Sequence, residues 1–329
     1  MIQNSTMSAA AGSAATAGSA AAKESASESS ISGWDRFWFW PSDSRALAGL
    51  RLATGALAFL YVLSFTDLTT WFGTQGILSE ETVRLLRPES YRWSYLFRLG
   101  ESTELWLIHF VGLAILATFT CGLFTRVTSV LSLIVVLSYI HRAPMLTGPL
   151  EPTLSMLLCY LAIGPCGQYW SVDAWLRKRK GAAVPTPSWL ATVSRRLIQI
   201  HLAALYALMG LTKLGGQAGA NDYDASWWRG EAVWWLISRS DSRLVDLTFL
   251  HSHPYLLNFW THAIVAFELL FAVLIWKPQA ARWLLVASVI IWSLTILVTG
   301  WVLFGLVMIV AGLVFLPRWN GQCVGETNA

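Results

Sequence analysis

From Trp34 onward the chain is built from long apolar runs, each closed by charged residues, glycine or proline. A helix needs about 20 such residues to cross the hydrocarbon of a bilayer. On that measure the candidate spans are 46–65, 104–124, 127–140, 153–167, 197–214, 258–276, 282–298 and 301–316. The third is short and ends in His141-Arg142-Ala143-Pro144. The fourth is short and interrupted by Gly164-Pro165, and only Thr299-Gly300 separates the last two. The pattern predicts an all-α fold, a polytopic integral membrane helix bundle of about eight transmembrane helices, with seven or nine as the neighbouring counts.

Composition agrees with this reading. The chain is 55% hydrophobic and 13% charged, whereas soluble domains carry about 25% charged residues. Its nineteen tryptophans fit the headgroup level, where an indole keeps its ring apolar and its N–H wet. The net charge of +4 is scattered, and no nucleic-acid partner is read from it. Residues 1–33 are an Ala/Ser/Gly-rich segment with almost nothing to bury, expected to be disordered. They lack the basic start and leucine-rich stretch of a cleaved signal peptide. A transmembrane domain is expected over 34–317 and a short tail over 318–329.

Lysine and arginine placement gives an orientation. With a cytoplasmic N-terminus, Arg36, Arg45, Arg126, the cluster Arg177-Lys178-Arg179-Lys180, Arg195-Arg196, Lys277, Arg282 and Arg318 all fall inside, as the positive-inside rule asks. Both termini are then cytoplasmic. The long connections 66–103 and 215–257 face outward, and connections of that length commonly carry function.

Three charges lie within apolar spans. Lys213 closes the run 197–214, and an intramembrane cation is a functional candidate by default. Held neutral, it would be a usable base; reaching to water along its methylene stem, it would be an anchor. Tyr206 lies seven residues earlier on the same helical face, the better neighbour than His201. Arg51 shares its face with Ala48, Gly55 and Ala58, small residues that let another helix approach. Glu268 sits midway along its span and needs a cation or a proton; spacing leaves an Arg51–Glu268 and a Lys213–Glu268 pair both open. After Lys213 come Gly215-Gly216 and the run Trp227-Trp228-Arg229-Gly230-Glu231 with Trp234-Trp235. The four tryptophans could share one face of a short interfacial helix, broken by Glu231, as an aromatic lid over a site for a lipid-soluble substrate.

Other chemistry is sparse. His109, His141, His201, His251, His253 and His262 show no metal-ligand spacing, so no metal is expected. Cys121, Cys159, Cys166 and Cys323 form no C-x-x-C pair and read as small apolar residues. The absence of nucleotide-binding glycine motifs argues against a nucleotide-driven pump.

Tyr169-Trp170-Ser171-Val172-Asp173 follows an apolar helix ending in Gly-Pro. Together with Gly210-Leu211-Thr212-Lys213-Leu214 and the Trp-x-x-Gly of Trp227 to Gly230, it resembles the HTTM (horizontally transferred transmembrane) family over about residues 34–317. That family includes the membrane part of vitamin K-dependent gamma-carboxylase and the maturation factor of the bacterial Sdp system. The resemblance implies that Lys213 corresponds to the base that deprotonates vitamin K hydroquinone, and that a quinone or quinol is a candidate ligand. Two departures accompany it. Gly148-Pro149-Leu150-Glu151 stands where the carboxylases carry a histidine, with His141 too early to replace it. Twelve residues follow Pro317, against a sizeable lumenal domain in the carboxylases, so a complete glutamate carboxylase is not expected.

Three functions remain open. The first is a minimal carboxylase-related membrane enzyme acting on a quinol-like lipid or a peptide, with Lys213 as general base at the outer face. The second is a non-catalytic component that matures or partners a secreted protein through the outer connections. The third is a small-solute transporter using Arg51, Lys213 and Glu268, for which no internal repeat is seen. The absence of a disulfide pattern and the compact length suit a bacterial inner membrane.

Overall fold

The computed structural model describes residues 32–74, 76–86, 93–99, 101–214, 222–239 and 243–316, and for 86, 222–225 and 239 the backbone alone. The expected disordered tail up to residue 31, the expected tail 318–329 and the Gly215-Gly216 pair lie outside the described residues. The chain divides at Trp40. Before the division stands a short helix, α1 (Gly33–Phe39), whose first turn is capped by the Ser32 hydroxyl accepting from the Asp35 amide at 3.1 Å.

Everything from Pro41 onward forms one unit, and among the described residues it is helical with no strand. Each of the eight apolar runs is a helix: α2 (Arg45–Leu63), α5 (Ser102–Cys121), α6 (Thr125–Arg142), α7 (Leu150–Ile163), α9 (Trp189–Leu214), α12 (Pro254–Leu274), α13 (Pro278–Thr299) and α14 (Val302–Gly312). Between them lie α3 (Leu68–Phe72) and α4 (Glu80–Leu86) in the first long connection, α8 (Val172–Arg179) after α7, and α10 (Asp222–Arg229) and α11 (Ala232–Arg239) in the second. Proline at the start of α12 and α13, where its missing N–H is no loss, and left-handed Gly122 and Gly300 after α5 and α13 fix those ends.

Five of the eight, α2, α5, α9, α12 and α13, are long and apolar enough to cross a membrane, and this is a membrane protein. The other three fall short for separate reasons. α6 spans 18 residues but spends a face on Thr128, Ser129, Ser132 and Ser138, all buried. α7 has 14 residues and α14 has 11 before a 3-10 turn at Leu313–Phe315; a 14-residue helix reaches only about 21 Å against a core of about 30 Å.

In lipid no hydrophobic force drives helix against helix, so close packing and polar contacts must hold the bundle. α9 packs along α12 and α2 along α5, while α7 sits among α2, α6, α9 and α14. Gly55 brings α2 and α5 together, for a Cβ there would lie 2.5 Å from the Thr120 hydroxyl and 3.2 Å from the Phe119 ring. Large apolar side chains face outward, among them Leu107 and Phe110 on α5, Phe259 on α12 and Trp283 and Ile290 on α13, a surface suited to lipid and not to water. The first long connection is clamped by Arg142 at the end of α6. Its guanidinium donates to the carbonyls of Leu78 and Phe72 and lies 5.5 and 5.0 Å from the ring centroids of Phe72 and Phe97.

Candidate functional site

Lys213 stands in the last turn of α9, where a cation meets the unpaired carbonyls of a helix end. Glu268 lies on α12, roughly 21 Å along it from Pro254 at ~1.5 Å per residue. Of the two pairings left open by spacing, the structure holds Lys213–Glu268: Lys213 Nζ donates to Glu268 Oε1, and the two side chains are 16% and 3% exposed. Gly210 permits this approach, since a Cβ there would lie 2.7 Å from Leu269 and 3.4 Å from the Glu268 Cβ. The second carboxylate oxygen, Glu268 Oε2, is buried with no hydrogen-bond partner. It is an acceptor held in reserve, and such groups are uncommon in a satisfied interior.

The ring of Trp227 covers the pair, with Lys213 Nζ 4.4 Å from its centroid, within cation–π range. Trp227 is itself buried in a second apolar cluster with Val233, Ile237, Leu257 and Ile264, apart from the main core. The four tryptophans do not share one helical face as expected. Gly230, at φ +78°, breaks the segment into α10 and α11, a backbone conformation that glycine adopts without strain. Trp227 is turned inward, Trp234 packs 4.9 Å from the His251 ring, and Trp228 and Trp235 are exposed. The hairpin is seated on α12 by polar contacts. Asn258 Nδ2 donates to the Arg229 carbonyl (3.1 Å), and the Thr261 hydroxyl lies 3.1 Å from the Gly230 carbonyl and accepts from the Val233 amide at 3.3 Å.

Tyr206 shares the α9 face of Lys213 but has other partners. It is fully buried, stacks on Phe271 with centroids 4.0 Å apart, accepts from Trp292 Nε1 at 2.6 Å and meets the Ser288 hydroxyl at 3.3 Å. It joins α9 to α12 and α13 below the ion pair. Ser288 and Trp292 were not singled out from sequence; a serine inside the apolar α13 was their one visible sign.

Arg51 is fully buried and, among the described residues, forms no ion pair with a carboxylate. Its Nη1 donates to the carbonyls of Phe119 and Thr120 (2.9 and 2.8 Å), its Nη2 to Trp170 (2.5 Å) and its Nε to Cys166 (3.2 Å). Phe119 and Thr120 lie in the last turn of α5, and the Phe119 carbonyl also accepts from the Gly122 amide at 3.0 Å, so the guanidinium joins Gly122 in capping that helix end. Gly122, at φ +77°, leaves the necessary space; a Cβ there would run into Arg51 Nη1 and Ser171.

The Tyr169 to Asp173 motif sits at this joint. The Tyr169 ring lies 5.2 Å from the Arg45 guanidinium, and Trp170 offers its carbonyl to Arg51 from a left-handed φ of +46°. Ser171 caps α8 by accepting from the Ala174 amide at 2.9 Å. Asp173 caps the start of α6: its carboxylate accepts from the Phe124 amide (2.9 Å), the Thr125 amide (2.8 Å) and the Thr125 hydroxyl (2.6 Å). Partial burial pushes the Asp173 carboxyl up. The bonds from Thr125 and Phe124 and the nearby Arg177 outweigh that and hold it below the usual carboxylate range. The motif thus closes the ends of α2, α5, α6, α7 and α8 on one another and lies apart from Lys213.

Several other polar groups are paired locally. His109 Nδ1 meets the Tyr139 hydroxyl at 2.7 Å, His201 Nδ1 meets the Tyr160 hydroxyl at 3.1 Å, and His262 Nδ1 meets the Asn258 carbonyl at 2.9 Å. Glu151, in the stretch that departs from the carboxylases, accepts from the Gly148 amide at 2.7 Å and lies near the Tyr61 hydroxyl. Among the described residues no group of three or more metal-ligating side chains gathers. No family model, curated protein or solved structure matches the chain.

Proposed function

We propose that this is an HTTM-like membrane enzyme that removes a proton from a quinol-like lipid, with Lys213 as the base and Glu268 as its proton partner. The observation that carries the reading is the buried Lys213–Glu268 pair beneath the Trp227 ring. A proton passing from the Lys213 ammonium to Glu268 turns the ion pair into a neutral amine beside a neutral acid, with no net charge moved into the apolar interior. The amine then accepts the proton of a bound quinol hydroxyl, leaving a quinolate next to a new ammonium whose charge opposes it. A flat aromatic substrate fits the company of Trp227, and the unpartnered Oε2 of Glu268 gives a place for the displaced proton. In this proposal the site opens on the outer side of a bacterial inner membrane, with both termini cytoplasmic.

The test is quinone and quinol binding to the detergent-purified protein, by extraction of co-purified lipid and by titration, wild type against Lys213→Met. Binding or turnover lost in Lys213→Met supports the base. Absence of any quinone in either protein overturns the quinol mechanism. A second reading draws on the exposed Trp228, Trp235 and Phe249 beside the hairpin: a non-catalytic component that matures or partners a secreted protein. Full biological function retained by Lys213→Met selects that reading. A small-solute transporter ranks last, because Arg51 is committed to carbonyls and is not on one path with Lys213 and Glu268.

A further inference from the structure

At the end of the bundle where α5 turns into α6 and α7 into α8, the surface opens into a cavity of about 390 Å³. Its lining carries three cations, Arg126, Arg177 and Lys180, with the polar side chains of Ser129 and Gln168 and one carboxylate, Asp173. Asp173, bonded to the Phe124 amide and to the amide and hydroxyl of Thr125, acts on the nearby Arg177 and offsets part of this charge, leaving three cations to one carboxylate. Among the described residues none of the three cations has a carboxylate within ion-pair distance. Arg177 is held in place by donating to the carbonyls of Gly167 (3.0 Å) and Gln168 (3.3 Å).

Beside the lining stand exposed apolar side chains: Phe124 at 71%, Trp175 at 51% and Leu176 at 39%. A cationic recess next to exposed aromatic and aliphatic groups, at the ends of membrane-spanning helices, matches a ligand with an anionic head and an apolar body. We infer that this cavity binds the headgroup of an anionic phospholipid, with its phosphate among Arg126, Arg177 and Lys180 and its acyl chains along Phe124, Trp175 and Leu176. Free phosphate shares the anionic chemistry but makes no use of the apolar side chains.

The experiment uses the full chain, delipidated in detergent and offered equimolar phosphatidylglycerol and phosphatidylcholine, with retained lipid read by native mass spectrometry. Wild type is expected to retain phosphatidylglycerol selectively. The variant R126Q/K180Q changes two exposed side chains outside ion pairs and should weaken that binding roughly thirtyfold, about fivefold per charge removed. The comparison variant K277Q/R282Q removes the same charge at the turn between α12 and α13, outside the cavity, and should weaken it far less. Equal losses in the two variants, or no preference between lipids in wild type, would overturn the site. Inorganic phosphate that binds alone as tightly as the lipid and displaces it fully would overturn the lipid assignment.

Discussion

Replacing Lys213 with methionine removes one half of a buried ion pair and leaves Glu268, 3% exposed, with no cation. The carboxylate then has one escape, which is to take up a proton. From an ordinary glutamate pKa of about 4.3, this costs about 1.36 kcal/mol per pH unit, so about 3.7 kcal/mol at pH 7 and about 1 kcal/mol at pH 5. The pH 7 figure falls within the roughly 3–5 kcal/mol lost when a buried pair is broken from one side. Glu268→Gln strands the ammonium instead, and its loss should shrink as pH rises, because releasing the lysine proton becomes easier. Its size at pH 7 has an upper limit of about 4.6 kcal/mol, from an ordinary lysine pKa of about 10.4, lowered by the Trp227 face and by partial exposure. The double variant Lys213→Met/Glu268→Gln carries no stranded charge and should lie within about 1 kcal/mol of wild type. Unfolding by SDS in mixed micelles at pH 5 and pH 7, followed by tryptophan fluorescence, measures all four proteins. A Lys213→Met loss unchanged between the two pH values, or a double variant as unstable as the worse single one, would refute the reasoning.

Two further predictions concern the joint built around the Tyr169 to Asp173 motif. Arg51→Lys should lower stability by about 3 kcal/mol or more in the same unfolding assay, since a single ammonium cannot reach the carbonyls of Phe119, Thr120, Cys166 and Trp170 together; a loss under about 1 kcal/mol would show that this network is dispensable. Asp173→Asn should cost about 1–2 kcal/mol at pH 7; because the carboxyl is held below its usual range, wild type keeps this advantage above about pH 4 and loses it as pH falls through the folded value, so thermal unfolding curves of the two proteins should converge in acid.

The helices were legible because lipid imposes a coarse demand, some twenty apolar residues per crossing, that the chain writes openly. All eight apolar runs are helices, with ends shifted by a few residues except at α9, which begins at Trp189, well before its run at 197. How many of them cross was less legible. α6 hides hydroxyls on a protein-facing side, where Ser129 and Ser138 bond carbonyls of their own helix, and α7 is short. The intramembrane charges also stood out as candidates, yet spacing could not tell Lys213 or Arg51 as the partner of Glu268. That choice depends on α9 lying along α12 through Gly210, a tertiary fact. The aromatic lid was misread as a single face because Gly230 was taken as part of a helix, whereas its left-handed backbone ends one. The Asn258 and Thr261 seat beneath it gave no sequence signal beyond two polar residues in an apolar run.

The short α7 bears on how the protein is made. Leu154, Leu157, Leu158 and Leu161 are wholly shielded by neighbouring helices, so the mismatch between its 14 residues and the bilayer thickness is hidden from lipid only after those neighbours have gathered. During synthesis α2 and α6, which precede α7, can cover part of it at once. α7 is left partly solvated by lipid until α9, and later α14, emerge from the ribosome and close around it. The bundle's central helix is thus among the last to reach its final surroundings.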